Sequence, residues 1–343
     1  MYLLPRPQEM LLQDNVFYVD YTAEICIDPE ASPEWLHYAS LLQKEIEQDT
    51  GFHLNINRNL PVFQTPSILL KSTSGHSQQE YTLRIRESGI LLTASSNSGM
   101  LYAIQTLRQI IRQEGACLPG LDIHDFPVIS NRGLYYDVTR SRIPTLSYLK
   151  KMADTLSFYK INQLHLYIEH TYMFRNLSEV WRDDTPLTSS DILELDRYCA
   201  DLGIELVPSI ASFGHLYKIL RTKSFRHLCE REDLCEEPFG FIDRMEHHTI
   251  DVSNEESFSF IWSLIEEYLP LFRSDKFNIC GDETFDLGTG KSHELAEREG
   301  TQQLYIQYIK KLCDALVTHG KTPMFWGDIV DIYPINEIHP VRI

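Results

Sequence analysis

The chain has 343 residues, of which 43% are hydrophobic and 23% are charged, so it can bury a sizeable core and does not have the composition of a disordered protein. Its 49 acidic residues outnumber its 31 lysines and arginines, which gives a net charge of −18. This charge repels nucleic acid and anionic membranes, and we expect neither as a partner. A neutral small molecule or a sugar is a better substrate class for such a protein.

The cysteines and the N-terminus indicate the compartment. The seven cysteines are odd in number and scattered, and no CxxC pair occurs, which argues against a disulfide framework and a zinc ribbon. The N-terminus lacks a basic region followed by a long apolar run, and no apolar stretch approaches membrane-spanning length. We therefore expect a soluble, cytoplasmic protein.

Residues 1–125 predict a small α+β domain. Its best-defined part is a hairpin, because residues 81–86 alternate with period two, Glu87-Ser88-Gly89 turns, and 90–94 returns. The following helix has apolar residues three and four apart, so one of its faces should pack on the hairpin. The helix after the hairpin is expected over 98–113. A helix over 34–48 and a strand over 66–70 are also expected. Leu118-Pro119-Gly120 and Phe126-Pro127 then break the chain, and we place the boundary after residue 125.

Residues 126–343 alternate regularly between strands and helices, which is typical of a parallel α/β sheet or a barrel. Thr145 is a suitable N-cap for the first helix. Residues 216–248 are irregular and polar, and we interpret them as an insertion over one face. The predicted strands are 133–138, 163–168, 204–210, 276–280 and 322–326, and the predicted helices are 145–159, 191–202, 255–271 and 301–317.

Polar or aromatic residues follow the predicted strands. A parallel barrel gathers its site at the carboxyl ends of its strands, so these residues should converge although they are far apart in sequence. They are Glu169, His170, His215, Asp282, Glu283, Trp326 and Asp328. The adjacent carboxylates Asp282 and Glu283 can share one cavity only if the backbone turns there, and Gly281 permits such a turn.

In these residues the chain resembles glycoside hydrolase family 20, the β-N-acetylhexosaminidases. The matching pieces occur in order along nearly the whole chain, and the hairpin and helix resemble the small domain that precedes the barrel in this family. The pieces are Asn131-Arg132-Gly133-Leu134 with Asp137, Leu164-His165-Leu166, Gly214-His215, Gly281-Asp282-Glu283 and Trp326. The resemblance implies a (β/α)8 TIM-type barrel preceded by a small α+β domain.

The resemblance also implies a role for each site residue. Glu283 would protonate the leaving oxygen, and Asp282 would orient the 2-acetamido group and stabilise its charge. Arg132 would hold sugar hydroxyls, Trp326 would form part of the wall around the acetamide, and His215 would support the acid. The substrate would be a terminal 2-acetamido-2-deoxy-β-hexoside, whose own acetamide oxygen attacks the anomeric carbon. No metal or organic cofactor is needed.

Two features depart from the family pattern. After the second strand, where the family usually carries acidic residues, this chain has Glu169-His170, so the network around His215 is expected to differ. The sequence also shows about five strand–helix units, whereas a closed barrel has eight. We therefore expect an incomplete barrel, a fragment of a longer enzyme, with an uncovered edge that a homo-oligomer could cover.

Two other functions are compatible with the same residues. A metal-dependent hydrolase could use His165, His170, His215, His247 and Asp282 as ligands, although no HxH or HExxH spacing occurs at a strand end. A sugar-binding module would keep the pocket without turnover. Binding alone does not require a proton donor beside a second carboxylate, and for this reason the Asp282-Glu283 pair favours catalysis.

Overall fold

The computed structural model describes residues 1–60, 66–140, 142–240, 243–245 and 247–327. The chain divides into two compact units. The first comprises Met1–Arg132, Lys151–Asn162 and Cys199–Ile204, and the second comprises Gly133–Lys150, Gln163–Tyr198 and the described residues from Glu205 onward. The functional site lies in the second unit, so the first is described only briefly.

The first unit contains a seven-stranded mixed sheet in the order β1-β7-β5-β6-β4-β2-β3. Its strands are β1 Glu9–Tyr18, β2 Glu24–Ile27, β3 Asn55–Asn57, β4 Ser67–Ser72, β5 Tyr81–Arg86, β6 Gly89–Ala94 and β7 Cys117–Asp125. Its helices are α1 Trp35–Thr50 and α2 Asn97–Glu114. Strands β5 and β6 pair antiparallel, which confirms the predicted hairpin.

Helix α2 is anchored by its cap and its apolar face. The Gly99 amide donates a hydrogen bond to Ser96 Oγ over 3.0 Å, which satisfies one of the free N–H groups at the helix start. Leu101, Ile104 and Leu107 are fully buried, and the helix contacts β5 and β6. The predicted packing of this helix on the hairpin is therefore confirmed.

The predicted chain break at Leu118-Pro119-Gly120 is wrong, because β7 runs through these residues. Pro119 pairs with Val16 of β1, next to an irregularity in the register between Leu12 and Val16. Pairing of β7 with β5 begins only at Leu121. Pro119 thus lies where β7 has a partner on one side only, and a strand tolerates a proline without an N–H at such a position.

From residue 133 onward, strands and helices alternate as predicted. The strands are β8 Gly133–Asp137, β9 Gln163–Ile168, β10 Glu205–Ile210, β11 Lys276–Asn278 and β12 Thr322–Met324. The helices are α3 Leu146–Phe158, α4 Ser178–Trp181, α5 Ser189–Asp201, α6 Tyr217–Leu220, α7 Glu255–Tyr268, α8 His293–Glu299 and α9 Thr301–Thr318. The predicted cap of α3 is confirmed, since the Tyr148 amide donates to Thr145 Oγ1 over 3.3 Å.

The five strands of the second unit form one parallel sheet in the order β12-β11-β10-β9-β8, so consecutive strands are neighbours. All six residues of β9 are buried, as expected for a parallel strand covered on both faces. The sheet is the first part of a (β/α)8 barrel, and it brings the carboxyl ends of its strands to one edge. In the described segments, no helix is both long enough and apolar enough to cross a membrane.

Candidate functional site

The chain turns sharply after β11, at the two adjacent carboxylates. Cys280, Gly281 and Glu283 have φ values of 58°, 82° and 48°, in the left-handed region that L-residues rarely adopt. A Cβ at Gly281 would lie 2.9 Å from Ile309 Cδ1, so the tight packing there also favours glycine. The predicted turn at Gly281 is confirmed. The strained conformation of Cys280 and Glu283 indicates that the surrounding structure holds them in place.

Hydrogen bonds from three directions hold this turn. The Cys280 amide donates to Asn278 Oδ1 over 2.8 Å, and the Trp326 amide donates to the Cys280 carbonyl over 3.0 Å. The Tyr305 hydroxyl, on α9, donates to the Gly281 carbonyl over 2.9 Å. The backbone of the turn is therefore fixed by β11, by the segment after β12 and by a buried tyrosine of α9.

Both carboxylates converge on one buried imidazole. His215 Nε2 lies 3.2 Å from Asp282 Oδ2 and 3.3 Å from Glu283 Oε2. The His215 side chain is only 3% exposed. Burial opposes its charged form, but the hydrogen bond and charge of Asp282, together with the charge of Glu169, outweigh burial and raise the pKa of His215 above its ordinary value of 6.5.

His215 also lines a cleft of about 260 Å³ at the carboxyl ends of the strands. The lining residues come from the segments that follow β8, β9 and β10. They are Thr139, Arg140, Arg142, Ile143, Glu169, His170, Thr171, Asp184, Thr185, His215, Tyr217, Lys218 and Arg244. The sequence prediction that residues after the strands converge therefore holds for Glu169, His170 and His215, and His215 links the cleft to the acid pair.

Arg140 is a site residue that the sequence analysis missed. Its guanidinium lies 3.0 Å from Asp137 Oδ2 and 3.4 Å from Glu169 Oε1. Burial raises the pKa of Glu169 although Arg140 opposes the shift, and the Tyr167 hydroxyl donates to Glu169 Oε1 over 2.9 Å. The signal was available, because Arg140 follows the first barrel strand just as His170 and His215 follow theirs.

His170 lies beside Glu169 in the cleft and is 6% exposed. Its Nδ1 atom is 3.8 Å from Glu169 Oε2. Burial, and next the charge of Lys218, lower the pKa of His170 to about 4. His170 is therefore neutral at neutral pH. The pKa values of the two imidazoles in the cleft are thus shifted in opposite directions, down for His170 and up for His215.

Trp326 lies at the end of β12 beside the acid-bearing turn. Its ring packs edge-on against Tyr135, with ring centroids 4.7 Å apart, and it remains 37% exposed. The Tyr135 hydroxyl is 2.8 Å from Ser209 Oγ and 3.5 Å from Cys280 Sγ. Tyr135 thus contacts both the Trp326 indole and Cys280, which precedes Asp282 by two residues. Asp328, which was also predicted, lies outside the described residues.

Arg132 lies at the amino end of β8, the opposite end of that strand from Asp137. Its guanidinium donates to the carbonyl groups of Lys160, Ile129 and Ser130 over 2.9, 2.7 and 3.1 Å. It also donates to Gln79 Oε1 and to the Tyr102 hydroxyl, each over 3.0 Å. These bonds give Arg132 a clear structural role, and it is not among the described residues that line the cleft.

The acid pair and His215 also form a possible metal site. Among the described residues, they are the group whose ligand atoms all lie close enough to hold an ion, within 4.8 Å of one another. Two carboxylates and one imidazole are acceptable ligands for zinc. The same three groups can equally well arrange protons without a metal, since an imidazole N–H can donate to a carboxylate.

Comparison with known proteins identifies the family. The family model for the glycosyl hydrolase family 20 catalytic domain matches residues 130–340, and the model for domain 2 of the same family matches residues 1–126. The chain belongs to glycosyl hydrolase family 20. Both matches agree with the resemblance seen in the sequence, and the family accounts for the parallel sheet of the second unit.

Curated relatives of this family 20 chain are β-hexosaminidases. The chain is 24% identical to one from Porphyromonas gingivalis, over 96% of the chain and 45% of the relative. It is 26% identical to one from Akkermansia muciniphila, over 89% of the chain and 62% of the relative. The chain thus spans about half the length of the curated relatives that it matches.

Solved structures show the same fold. The β-N-acetylhexosaminidase of Streptomyces coelicolor superposes with a TM-score of 0.80 at 21% identity, over 97% of this chain and 67% of that one. An exo-β-N-acetylglucosaminidase of Vibrio harveyi, solved with N-acetylglucosamine, superposes with a TM-score of 0.78 at 22% identity, over 94% of this chain and 54% of that one. These likenesses establish the architecture of the family 20 chain.

Proposed function

We propose that this chain carries the catalytic acid pair of an exo-acting β-N-acetylhexosaminidase, which releases terminal β-linked N-acetylglucosamine or N-acetylgalactosamine. The observation that supports this most directly is the left-handed turn at 280–283, which directs Asp282 and Glu283 to the same imidazole nitrogen. A surface Asp-Glu pair that merely ends a strand would need neither a strained turn nor a buried partner. Family membership and the named activities of the relatives agree with the proposal.

The proposed reaction begins with proton transfer from Glu283 to the glycosidic oxygen. The bond between the anomeric carbon and that oxygen breaks, while the carbonyl oxygen of the substrate's acetamide forms a new bond to the anomeric carbon. This gives a cyclic oxazolinium and a free alcohol. The Glu283 carboxylate then removes a proton from water, which attacks the anomeric carbon and opens the ring, so the configuration is retained.

Asp282 is suited to hold the acetamide in this reaction. Its Oδ2 atom is bound by His215, whereas its Oδ1 atom is buried and has no hydrogen-bond partner among the described residues. A buried acceptor without a partner is costly unless a ligand supplies a donor. We infer that the acetamide N–H is this donor, and that the negative charge of Asp282 stabilises the positive oxazolinium.

The sugar hydroxyls are assigned to the cleft. Arg140 takes the role that the resemblance suggested for Arg132, because Arg140 lines the cleft and is held by Asp137 and Glu169. Neutral His170 can donate or accept one hydrogen bond there. Trp326 forms one wall beside the turn, and the roles of Trp326 and His170 remain proposals.

Replacement of Glu283 by Gln tests the proton donor. We expect kcat/KM to fall by about 10² to 10⁴ for substrates with poor leaving groups, because a positioned acid contributes about that factor. Substrates with good leaving groups need little protonation and should be much less affected. The matched control is Glu294→Gln, which removes the same charge from an exposed position on α8. Equal losses for both substrate types would contradict this role for Glu283.

A chelator separates this mechanism from a metal-dependent one. The metal alternative would use the same trio of His215, Asp282 and Glu283, whereas the proposed mechanism needs no ion. We therefore expect unchanged hydrolysis of an aryl 2-acetamido-2-deoxy-β-glycoside after incubation with EDTA. Loss of activity that is restored by added zinc would instead assign the trio to metal catalysis.

Self-association and a cytoplasmic location are also proposals. Within the described residues, β8 and β12 each pair with one neighbour only, so self-association that covers these edges is proposed and is measurable by light scattering. A cytoplasmic location is proposed from the odd number and scattered positions of the cysteines. Cell fractionation tests it, and recovery of the protein outside the cell would contradict it.

A further inference from the structure

A buried carboxylate anchors the loop that follows the acid pair. The loop comprises residues 284–292, and its Asp286 is only 4% exposed. Both carboxylate oxygens of Asp286 contact the insertion of residues 216–248. Its Oδ2 atom accepts a hydrogen bond from the His248 amide over 2.9 Å, and its Oδ1 atom lies 3.0 Å from His247 Nδ1. Asp286 therefore ties the loop to the insertion three residues after the proposed proton donor.

A second buried carboxylate holds the far end of the same loop. Glu230, in the insertion, is 1% exposed. Its Oε1 atom accepts hydrogen bonds from the Gly290 amide over 2.9 Å, from the Ser292 amide over 3.1 Å and from the Ser292 hydroxyl over 2.7 Å. A Cβ at Gly290 would clash with the Glu230 carbonyl, so the two segments are in close contact. The loop is thus held at both ends, which limits the freedom of Asp286 to shift.

The contacts of Asp286 lead back to the proposed proton donor. The His248 carbonyl accepts a hydrogen bond from the Leu216 amide over 3.2 Å. Leu216 directly follows His215, whose Nε2 atom lies 3.3 Å from Glu283 Oε2. The path is closed, because Asp286 lies three residues after Glu283 in the chain. We call this closed set of contacts the Asp286 path.

Backbone strain is concentrated on this path and beside it. In the described part of the second unit, the non-glycine residues with a left-handed φ are His215, His248, Cys280 and Glu283. Such conformations persist only where the surrounding structure fixes them. The ring of His248 packs edge-on against Tyr217, but neither ring nitrogen has a hydrogen-bond partner among the described residues. The backbone hydrogen bonds of His248 therefore contribute to holding this strained residue.

We propose that Asp286 is a positioning residue for the proton donor: through the His248 backbone, it fixes His215 at hydrogen-bond distance from Glu283. Asp286 is not among the described residues that line the cleft, so it acts through other residues. The His248 amide is a neutral donor, and any acceptor oxygen in the same place can receive its hydrogen bond. The location of the acceptor should therefore matter more than its charge. This inference rests on the proposed function, because it assumes that Glu283 transfers a proton.

Two substitutions separate position from charge. Asp286→Asn removes the charge but keeps an acceptor oxygen in place, and its amide can donate to His247 Nδ1 when the imidazole proton is on Nε2. Asp286→Glu keeps the charge but moves the carboxylate by one methylene group. Since a misplacement of about 1 Å can cost on the order of 10²-fold in rate, we expect kcat to fall roughly 10- to 100-fold in Asp286→Glu. In Asp286→Asn the loss should be less than about threefold.

The kinetic pattern distinguishes positioning from a purely structural role. The assay uses aryl 2-acetamido-2-deoxy-β-glycosides with good and poor leaving groups. In Asp286→Glu, the loss should fall on kcat for the poor leaving groups and leave KM nearly unchanged, because the proton donor is displaced while the residues lining the cleft remain. Asp183→Glu is the matched control, since it makes the same change in a side chain that is 89% exposed.

Amide hydrogen exchange tests the path without turnover. The amides of Leu216 and His248 both donate hydrogen bonds on the path, so both should exchange faster in Asp286→Glu than in Asp286→Asn or the unchanged chain. An intact thermal transition would show that each variant is folded. If Asp286→Glu does not fold, Asp286→Ala replaces it, because alanine removes the acceptor without crowding the site and should give the same kinetic pattern.

Failure of the inference can be distinguished from failure of the proposed function. The inference is wrong, and the proposed function stands, if the unchanged chain hydrolyses the substrates and Asp286→Glu keeps its kcat. Equal losses in Asp286→Asn and Asp286→Glu, equal losses for good and poor leaving groups, or unchanged exchange at Leu216 and His248 would also overturn it. If the unchanged chain hydrolyses no aryl glycoside, the proposed function fails and the inference with it.

Discussion

His215→Gln is the most informative single substitution, because one imidazole nitrogen contacts both proposed catalytic acids at 3.2 and 3.3 Å. Glutamine can donate a hydrogen bond to one carboxylate but cannot carry a positive charge. A hydrogen bond that involves a charged group contributes about 1.5–3 kcal/mol, which corresponds to roughly a 10- to 150-fold loss of kcat/KM. The assay is hydrolysis of an aryl 2-acetamido-2-deoxy-β-glycoside from pH 4 to pH 9.

The pH dependence distinguishes this role of His215 from simple packing. Since the pKa of His215 is raised above 6.5, the imidazolium persists to a higher pH, and kcat/KM should fall as the pH rises through that raised pKa. This limb should be missing in the variant. The raised pKa of His215 also affects the free energy of unfolding. The stabilisation of the fold by protonated His215 is fully present below pH 6.5 and is lost as the pH rises through the raised pKa. An unchanged limb, or a loss below about threefold, would refute this reasoning.

Two further predictions concern the structure around the site. Gly214→Ala should abolish most activity and lower the unfolding temperature, because its Cβ would lie 2.7 Å from the Asp282 carbonyl and 3.1 Å from the Glu283 carbonyl; unchanged kinetics would contradict this placement. The free energy of unfolding should fall as the pH is lowered from 6.5 to 4, by up to about 3 kcal/mol for each of three buried histidines, because only the unfolded chain binds their protons in this range. Their pKa values are lowered to about 4 chiefly by burial, and they are His165, His170 and His248. The raised pKa values of Glu169 and Glu230 partly offset this loss, because these carboxyls bind protons more readily in the folded state. Denaturant titrations at pH 7 and pH 4.5 measure the free energy of unfolding, and equal values would contradict the prediction.

Many of the helices and strands could be predicted from the sequence, because burial of one face imposes a regular spacing of apolar residues. The alternation in the hairpin and the apolar spacing in α2 reflect single buried faces, and β9 is predicted to the residue. Strand β1 was missed because Met10, Leu11 and Leu12 are all exposed at a sheet edge, so no alternation marks it. Strand β7 was missed because one-sided pairing at Pro119 cannot be inferred from local sequence.

The site was only partly readable for a similar reason. The turn at Gly281 follows from local chemistry, since two adjacent carboxylates can share a cavity only if the backbone bends. Arg140 could have been preferred over Arg132 from the sequence, because Arg140 follows β8 whereas Arg132 precedes it, and a parallel barrel gathers its site at the carboxyl ends of its strands. Three cations that line the cleft were also not predicted, because they come from separate loops and belong to no recognisable motif; they are Arg142, Lys218 and Arg244.

The close approach of Gly214 to the carbonyl groups of Asp282 and Glu283 has a consequence for how such an enzyme can diversify. No side chain fits between these two loops, so their spacing cannot be adjusted by substitution. The segments that contribute Arg142, Asp184, Lys218 and Arg244 have no such restriction, since their side chains are at least partly exposed. Those segments can therefore be varied to change what the cleft binds, while the turn that carries the proposed acid pair keeps its geometry.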